Sequence, residues 1–110
     1  MTARAFSASA RIQATATTIA TCPGPGPWQV TAIYVAGDET NDRTITVYIV
    51  PSGGTADETT RFAVNVPIPA VDVLDFELAS PLYLQPNGTV QILADVADET
   101  VGFVSMLELR

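Results

Sequence analysis

Apolar and polar residues alternate along most of this chain, and this pattern predicts half-buried β-strands. The clearest example is TITVYIV at positions 44–50, where Ile45, Val47 and Ile49 fall on one face. About seven or eight such segments follow one another at spacings of roughly 8–15 residues. The predicted strands cover residues 14–21, 28–35, 44–50, 61–66, 71–78, 82–84, 89–96 and 101–109.

The same alternation assigns side chains to the interior. In 61–66 it places Phe62, Val64 and Val66 on one face. In 71–78 it places three residues inward, Leu74, Phe76 and Leu78, and three toward solvent, Val73, Asp75 and Glu77. Each predicted strand therefore has one face available for a core and one face available for water.

Turn-forming residues separate the predicted strands. SGG at 52–54 and PNG at 86–88 provide residues that adopt positive φ with little strain, and the prolines of PIPA at 67–70 end a strand. The connector CPGPGPW at 22–28 has too many prolines for a helix or a strand ladder. We therefore predict an all-β fold, an antiparallel β-sandwich of about 7–8 strands that is jelly-roll-like. A small barrel is the alternative.

The N-terminal segment is predicted to differ from the rest. Residues 1–13 are rich in Ala and Ser, which permits a weak helix, but the Ser and Thr residues compete with helix by bonding to the backbone. An extended arm over 1–13, followed by a single β-sandwich domain over 14–110, is the preferred organisation. On this view Phe6 and Ile12 anchor the arm on a neighbouring molecule, and Trp28 is the third candidate interface residue.

Charge excludes some partners. The net charge is −7, with no lysine or histidine and with five scattered arginines. Binding nucleic acid requires a cluster of cations, and an anionic membrane surface repels an acidic protein, so we expect neither partner. No segment approaches the roughly 20 apolar residues of a membrane-spanning helix. The acidity is instead expected to keep the protein soluble.

The tripeptide DET occurs three times, beginning at Asp38, Asp57 and Asp98, each time between predicted strands. Because an Asp side chain bonds to the backbone just downstream, this residue favours turns. One strand of about 23 Å separates Asp38 from Asp57, so these two cannot share an ion, whereas Asp98 returns to the end that holds Asp38. Calcium requires six to eight oxygens, and GDETNDR lacks their usual spacing. We predict turns and no metal site, with a weak calcium site in one of the loops as the alternative.

The composition also argues against an enzyme. Without histidine, and with Cys22 as the single cysteine, neither a Ser-His-Asp nor a Cys-His arrangement can form, and the usual zinc ligand sets fail. The carboxylates of Asp72, Asp75 and Glu77 remain, but the last two alternate with apolar residues as on a solvated face. We expect no catalytic residue and no cofactor. Cys22 is predicted to be a small buried hydrophobe, since one cysteine excludes any disulfide except an intermolecular one.

The order of these segments resembles that of the small β-sandwich virion proteins encoded near the structural genes of tailed bacteriophages. The likeness covers about residues 14–110. It is carried by WQVTAIYVAGDETNDRTITVYIVPSGG, RFAVNVPIPAVDVLDFEL and LYLQPNGTVQILADVADETVGFVSMLELR. The family's turn is often Gly-Asp, where Asn87-Gly88 stands in this chain. The resemblance implies a structural role with no catalytic residues to carry over.

The resemblance leads us to expect a capsid decoration or cement protein that is located in the virion. Its implied partners are the major capsid protein or other virion proteins, and it is expected to be a homo-oligomer, with a trimer favoured. A tail or fibre component is one alternative. A receptor-binding or carbohydrate-binding module is another, in which Trp28, Tyr34, Tyr48 and Tyr83 would stack on a sugar.

Overall fold

The computed structural model describes residues 4–24, 27–76, 78 and 82–108. These ranges contain nine β-strands: β1 (Arg4–Ile12), β2 (Thr17–Thr21), β3 (Trp28–Ala36), β4 (Arg43–Val50), β5 (Arg61–Ile68), β6 (Val73–Asp75), β7 (Leu82–Leu84), β8 (Thr89–Ala94) and β9 (Thr100–Glu108). The described residues contain no helix of the length and apolarity needed to cross a membrane.

The strands form two layers in which every pairing is antiparallel. The five-stranded sheet has the order β1-β9-β3-β6, with β7 also paired to β3, and the four-stranded sheet has the order β2-β8-β4-β5. Strands β6 and β7 pair with opposite ends of β3, near Ala36 and Trp28, and so together take one strand position. Each layer then has four positions, as in a jelly roll. The predicted all-β antiparallel sandwich is confirmed.

The core lies between the two layers. Inward-facing residues of β3 and β9 meet those of β4 and β8, and the largest fully buried side chains include Ile33, Ile45, Ile92, Val104 and Met106. Gly102 of β9 also faces inward. A Cβ at this position would lie 3.1 Å from Cδ1 of Ile92 and 3.2 Å from Cδ1 of Ile19. The glycine therefore provides the space that two isoleucines of the opposite sheet occupy.

The predicted N-terminal arm is wrong for the described residues 4–12. This segment is strand β1, which pairs with β9 without interruption from Arg4↔Glu108 to Ile12↔Thr100. Because the alternation of Ala and Ser with Phe6 and Ile12 matches the period of a strand, the segment can add to the sheet edge and bury its apolar face. The following strand begins at Thr17, and not at residue 14 as predicted.

The single face predicted for Phe62, Val64 and Val66 in β5 is also wrong. Phe62 and Val64 are 39% and 47% exposed, whereas Ala63 and Val66 pack against the core. The pairing with β4 shifts register twice in this region, and Asn65 has a φ of 48°. Each shift inserts an extra residue into β5 and reverses which side chains point inward. Such bulges, together with Pro67, are typical of a protected edge strand.

The segment predicted as one strand over 71–78 is interrupted in the structure. Regular pairing covers only β6, with Leu74 turned toward the core and Val73 and Asp75 turned outward, as predicted. Leu78 and Phe76 pack against the core outside the strand. Glu77 lies outside the described residues.

Candidate functional site

Two of the three DET segments form the same turn. In the first, Oδ1 of Asp38 accepts hydrogen bonds from the backbone N–H of Thr40 at 2.8 Å and from its hydroxyl at 3.1 Å. In the second, Oδ1 of Asp57 accepts the equivalent bonds from Thr59 at 2.9 and 2.6 Å. The motif is therefore the self-bonded Asp turn that the sequence predicts.

The environments of these two aspartates differ. Asp38 is 2% exposed, and its Oδ2 accepts bonds from Nε and Nη2 of Arg43, each at 2.8 Å. The bond from the Thr40 backbone, opposed by burial and helped by Arg43, lowers the pKa of Asp38. The bonds from the side chain and the backbone of Thr59 lower the pKa of the exposed Asp57. Only the first turn carries a buried ion pair.

The third DET segment follows a different course. Asp98 has a φ of 67°, its N–H donates to the Ile12 carbonyl at 3.0 Å, and its Oδ1 accepts a bond from Nε2 of Gln13 at 2.6 Å. It lines a shallow cleft together with Asp38, Glu39 and Glu99, so the prediction that Asp98 and Asp38 share one end of the domain is confirmed. Among the described residues, no group of three or more acidic or cysteine side chains is placed to hold a metal ion.

A second region of interest is the outward surface of the five-stranded sheet, which we call the outer face. The strand register arranges its side chains in rows that run across the sheet. One row is Arg11, Val101, Ala36 and Val73, and the next is Ser9, Phe103, Tyr34 and Asp75. A third contains Ser7, Ser105 and Ala32, and a fourth contains Ala5, Leu107, Gln29 and Tyr83.

The outer face is poor in charge and rich in exposed apolar groups. Of the described residues that point outward from these strands, Arg11 and Asp75 alone carry a formal charge, and they lie on opposite edge strands. Tyr34, Phe103 and Tyr83 are 38%, 43% and 52% exposed. Three strands of nine residues, with the short strands β6 and β7 sharing a fourth position, give the face dimensions of at most roughly 19 Å by 30 Å.

A hollow lies in the middle of the outer face. Its walls are formed by the larger side chains Tyr34, Phe103 and Val73, and its floor by small residues of β1 that include Ser7 and Ser9. The hydroxyls of Ser7 and Ser105 lie 3.4 Å apart across the strand pair. Small residues beside large ones produce a surface with relief into which side chains of another protein can insert.

The three interface residues predicted from the sequence are placed elsewhere. Ile12 and Trp28 are 0% and 3% exposed and belong to the core, and Phe6 packs against it. The rings of Phe6 and Trp28 meet edge to face with centroids 6.0 Å apart. Ile12 and Trp28 are therefore not available to a neighbouring molecule, and Phe6 is partly buried against the core of its own chain.

Sequence reasoning missed the outer face, although a signal was present. Strands β3 and β9 are apolar on both faces, since Tyr34, Phe103 and Leu107 alternate with buried residues. A strand with one solvated face normally carries polar residues there. Of the candidate sugar-stacking residues, Tyr34 and Tyr83 are exposed on this face, whereas Trp28 is buried and Tyr48 is partly buried.

Cys22 is buried at 1% exposure, as predicted. Its thiol donates to the Leu84 carbonyl at 3.3 Å, and its backbone carbonyl accepts a bond from the Asn87 N–H at 3.0 Å. Burial raises the pKa of this thiol and so disfavours the reactive thiolate.

Val71, at the tip of the turn between β5 and β6, combines exposure with backbone strain. It is 82% exposed and has a φ of 59°, which is unfavourable for a β-branched residue. Its N–H donates to the Asp38 carbonyl at 2.7 Å, which holds the strained conformation.

Replacing Val71 by glycine is expected to stabilise the protein by about 0.5–1 kcal/mol, because glycine adopts this φ without the cost of about 1–2 kcal/mol that a side chain adds. Chemical denaturation measures the difference. Val73→Gly is the control, since Val73 is also exposed but lies within a regular strand, where glycine should destabilise. A loss of stability in Val71→Gly would contradict the assignment of strain.

Comparisons with known proteins support the fold. No protein-family model matches the chain, and no curated protein sequence matches it significantly. Among solved structures, the fold is similar to one described as Bacillus endospore appendages that form a novel family of disulfide-linked pili. The TM-score is 0.55 at 19% sequence identity, and the similarity covers 99% of this chain and 88% of the other. At this identity the likeness extends to the fold alone.

Proposed function

We propose that this chain is a non-enzymatic structural protein that acts by assembling into a larger particle, as a capsid decoration protein of a tailed bacteriophage. The outer face carries this proposal. Of the described residues that point outward from this face, Arg11 and Asp75 alone are charged, although the chain has five basic and twelve acidic residues. Depletion of charge with exposed aromatic residues is the composition of the centre of a protein–protein interface.

Electrostatics favours this face for contact. With a net charge of −7, most of the surface repels another acidic protein and binds water strongly. Burial of Tyr34 and Phe103 removes apolar area from water and leaves no charge unpaired at the centre of the face. The acidic turns meanwhile remain at the ends of the domain in contact with solvent.

The phage setting comes from the resemblance of residues 14–110 to small β-sandwich virion proteins. An acidic surface suits the outside of a virion better than contact with packaged DNA. On this proposal the partners are the major capsid protein or other virion proteins, and the chain acts as a homo-oligomer.

A fibre component is the second candidate, and the likeness to the endospore pilus fold favours it. The cysteine content limits how such a fibre could be held together. A linear disulfide-linked polymer needs at least two cysteines in each subunit, and these 110 residues contain only the buried Cys22. A fibre made of this chain would have to rely on non-covalent contacts.

The test uses the phage whose genome encodes the chain. Purified particles should contain the protein in a stoichiometric ratio to the major capsid protein, and particles from a deletion strain should lack a matching density in cryo-electron microscopy. Added purified protein should restore that density. Complete absence of the chain from purified wild-type particles would contradict the virion assignment. If the density of this protein lies on the tail and not on the capsid, the tail or fibre role would replace the capsid decoration role.

A further inference from the structure

The arrangement of the outer face suggests what covers it. Its two exposed central aromatics, Phe103 and Tyr34, lie in the same row on the adjacent strands β9 and β3, one on each side of the midline of the sheet. The two charges among its described residues, Arg11 and Asp75, are opposite in sign and lie on the two outermost strands, β1 and β6. The face therefore carries one aromatic side chain on each side of its midline and opposite charges at its two edges.

We propose that this face binds the same face of a second copy of the chain, with a two-fold axis along the strand direction between β9 and β3. The operation places β9 over β3 of the partner, so that Phe103 of each copy meets Tyr34 of the other. It also places β1 over β6, with Arg11 one row from Asp75 of the second copy, about 7 Å along the strand. This distance is within the reach of an arginine side chain. Contacts of this kind are self-complementary, as a two-fold interface requires.

The present contacts of Arg11 leave it available. It is exposed and lines the cleft that holds Glu39 and Glu99, and its Nη1 donates a long bond of 3.3 Å to the Asp98 carbonyl, which a carboxylate of a partner can replace. The carboxylate of Asp75 is likewise exposed. In the dimer, Arg11 and Asp75 would form two symmetry-related ion pairs at the rim of the interface. Ion pairs at a rim affect the register and the choice of partner more than the affinity.

The available area agrees with a modest affinity. Roughly 600 Å² from each copy gives about 1,200 Å² in total, at the lower end of the range for specific complexes. We therefore expect a dimer with a Kd in the micromolar range, so that its population changes with protein concentration. The sequence resemblance favoured a trimer, but the paired features of this face match a two-fold axis and not a three-fold one.

Sedimentation velocity or light scattering on the purified chain tests the proposal. The mass should rise from 11.6 kDa toward twice that value with increasing concentration. Arg11→Asp and Asp75→Arg should each raise the Kd at least about fivefold, because each places like charges opposite one another. The double variant should return to within about twofold of the original. Phe103→Lys should abolish the dimer at any accessible concentration.

Matched controls separate the face from net charge and general hydrophobicity. Glu58→Arg changes the net charge by the same amount as Asp75→Arg, and Arg61→Asp changes it by the same amount as Arg11→Asp. Val64→Lys removes an exposed apolar group from the other sheet. All three control variants should leave the Kd of the dimer unchanged. A monomer up to about 1 mM, a trimer, or charge reversals that fail to rescue each other would overturn the proposal.

This inference rests on the assembly role proposed above, but the two fail separately. A monomeric chain that still decorates particles removes the two-fold contact and leaves the function in place. A dimer whose charge-reversal variants rescue each other, but which is absent from particles, removes the virion function and leaves the two-fold contact in place.

Discussion

Substitution of Gly102 by valine is expected to destabilise the sandwich by about 3 kcal/mol, because it overpacks the centre of the core. The added side chain would enter the space that Cδ1 atoms of Ile92 and Ile19 occupy, 3.1 and 3.2 Å from the new Cβ. The melting temperature should fall by more than about 10 °C for a domain of this size. Thermal unfolding followed by circular dichroism measures the shift.

A double-mutant cycle identifies the cause. Gly102→Ala adds only the clashing methyl group, and Ile92→Val removes the nearest atom of its neighbour at a cost of about 1 kcal/mol by itself. If the clash is responsible, the double variant should be more stable than the sum of the single changes by at least about 0.5 kcal/mol. Ser105→Val, on the same strand but facing outward, is the control and should change stability by less than about 0.5 kcal/mol. Strict additivity would contradict this explanation.

Replacing Asp38 by asparagine is expected to destabilise the protein clearly more than replacing Asp57 by asparagine. Both aspartates make the same turn with a following threonine, but only the buried Asp38 also pairs with Arg43. Loss of the carboxylate charge removes this ion pair, and in the described part of the chain the other ion pair of Arg43 is a longer one, with Oδ2 of Asp95 lying 4.0 Å from Nη1. Urea denaturation of the two variants at neutral pH measures the difference, and equal effects would show that the buried ion pair contributes nothing beyond the turn.

The pH dependence of the same variants provides a second readout. The pKa of Asp38 is lower in the folded protein than its ordinary value of 3.8. A lowered folded-state pKa stabilises the protein fully above the ordinary value, and this contribution is lost as the pH falls through the lower folded value. The stability gap between the wild type and Asp38→Asn should therefore be constant near neutral pH and should narrow as the pH falls below 3.8. If the difference in stability between the wild type and Asp38→Asn persisted in acid, it would come from the hydrogen-bond geometry of residue 38 and not from the charge of its carboxylate.

The turn chemistry and the buried thiol were accessible without coordinates. Asp38 and Asp57 bond to threonines two residues downstream, a local interaction that the tripeptide predicts. The same tripeptide at Asp98 follows another course because Asp98 bonds to Ile12 and Gln13 instead, which the local sequence does not show. Burial of Cys22 followed from its small apolar character and the absence of a second cysteine. The prediction for Phe6 and Ile12 failed because a strand and a free arm share the same extended conformation, and only pairing with β9 distinguishes them.

The sequence by itself determined that this protein is a helix-poor antiparallel sandwich with acidic turns, because strand alternation, proline and glycine positions and Asp bonding all act over a few residues. Only the tertiary structure decided that residues 4–12 complete the sheet edge, that bulges turn Phe62 and Val64 outward, and that Phe103, Tyr34, Arg11 and Asp75 share one face. These outcomes depend on which strands become neighbours and in what register, and side chains distant in the sequence set that register by packing together.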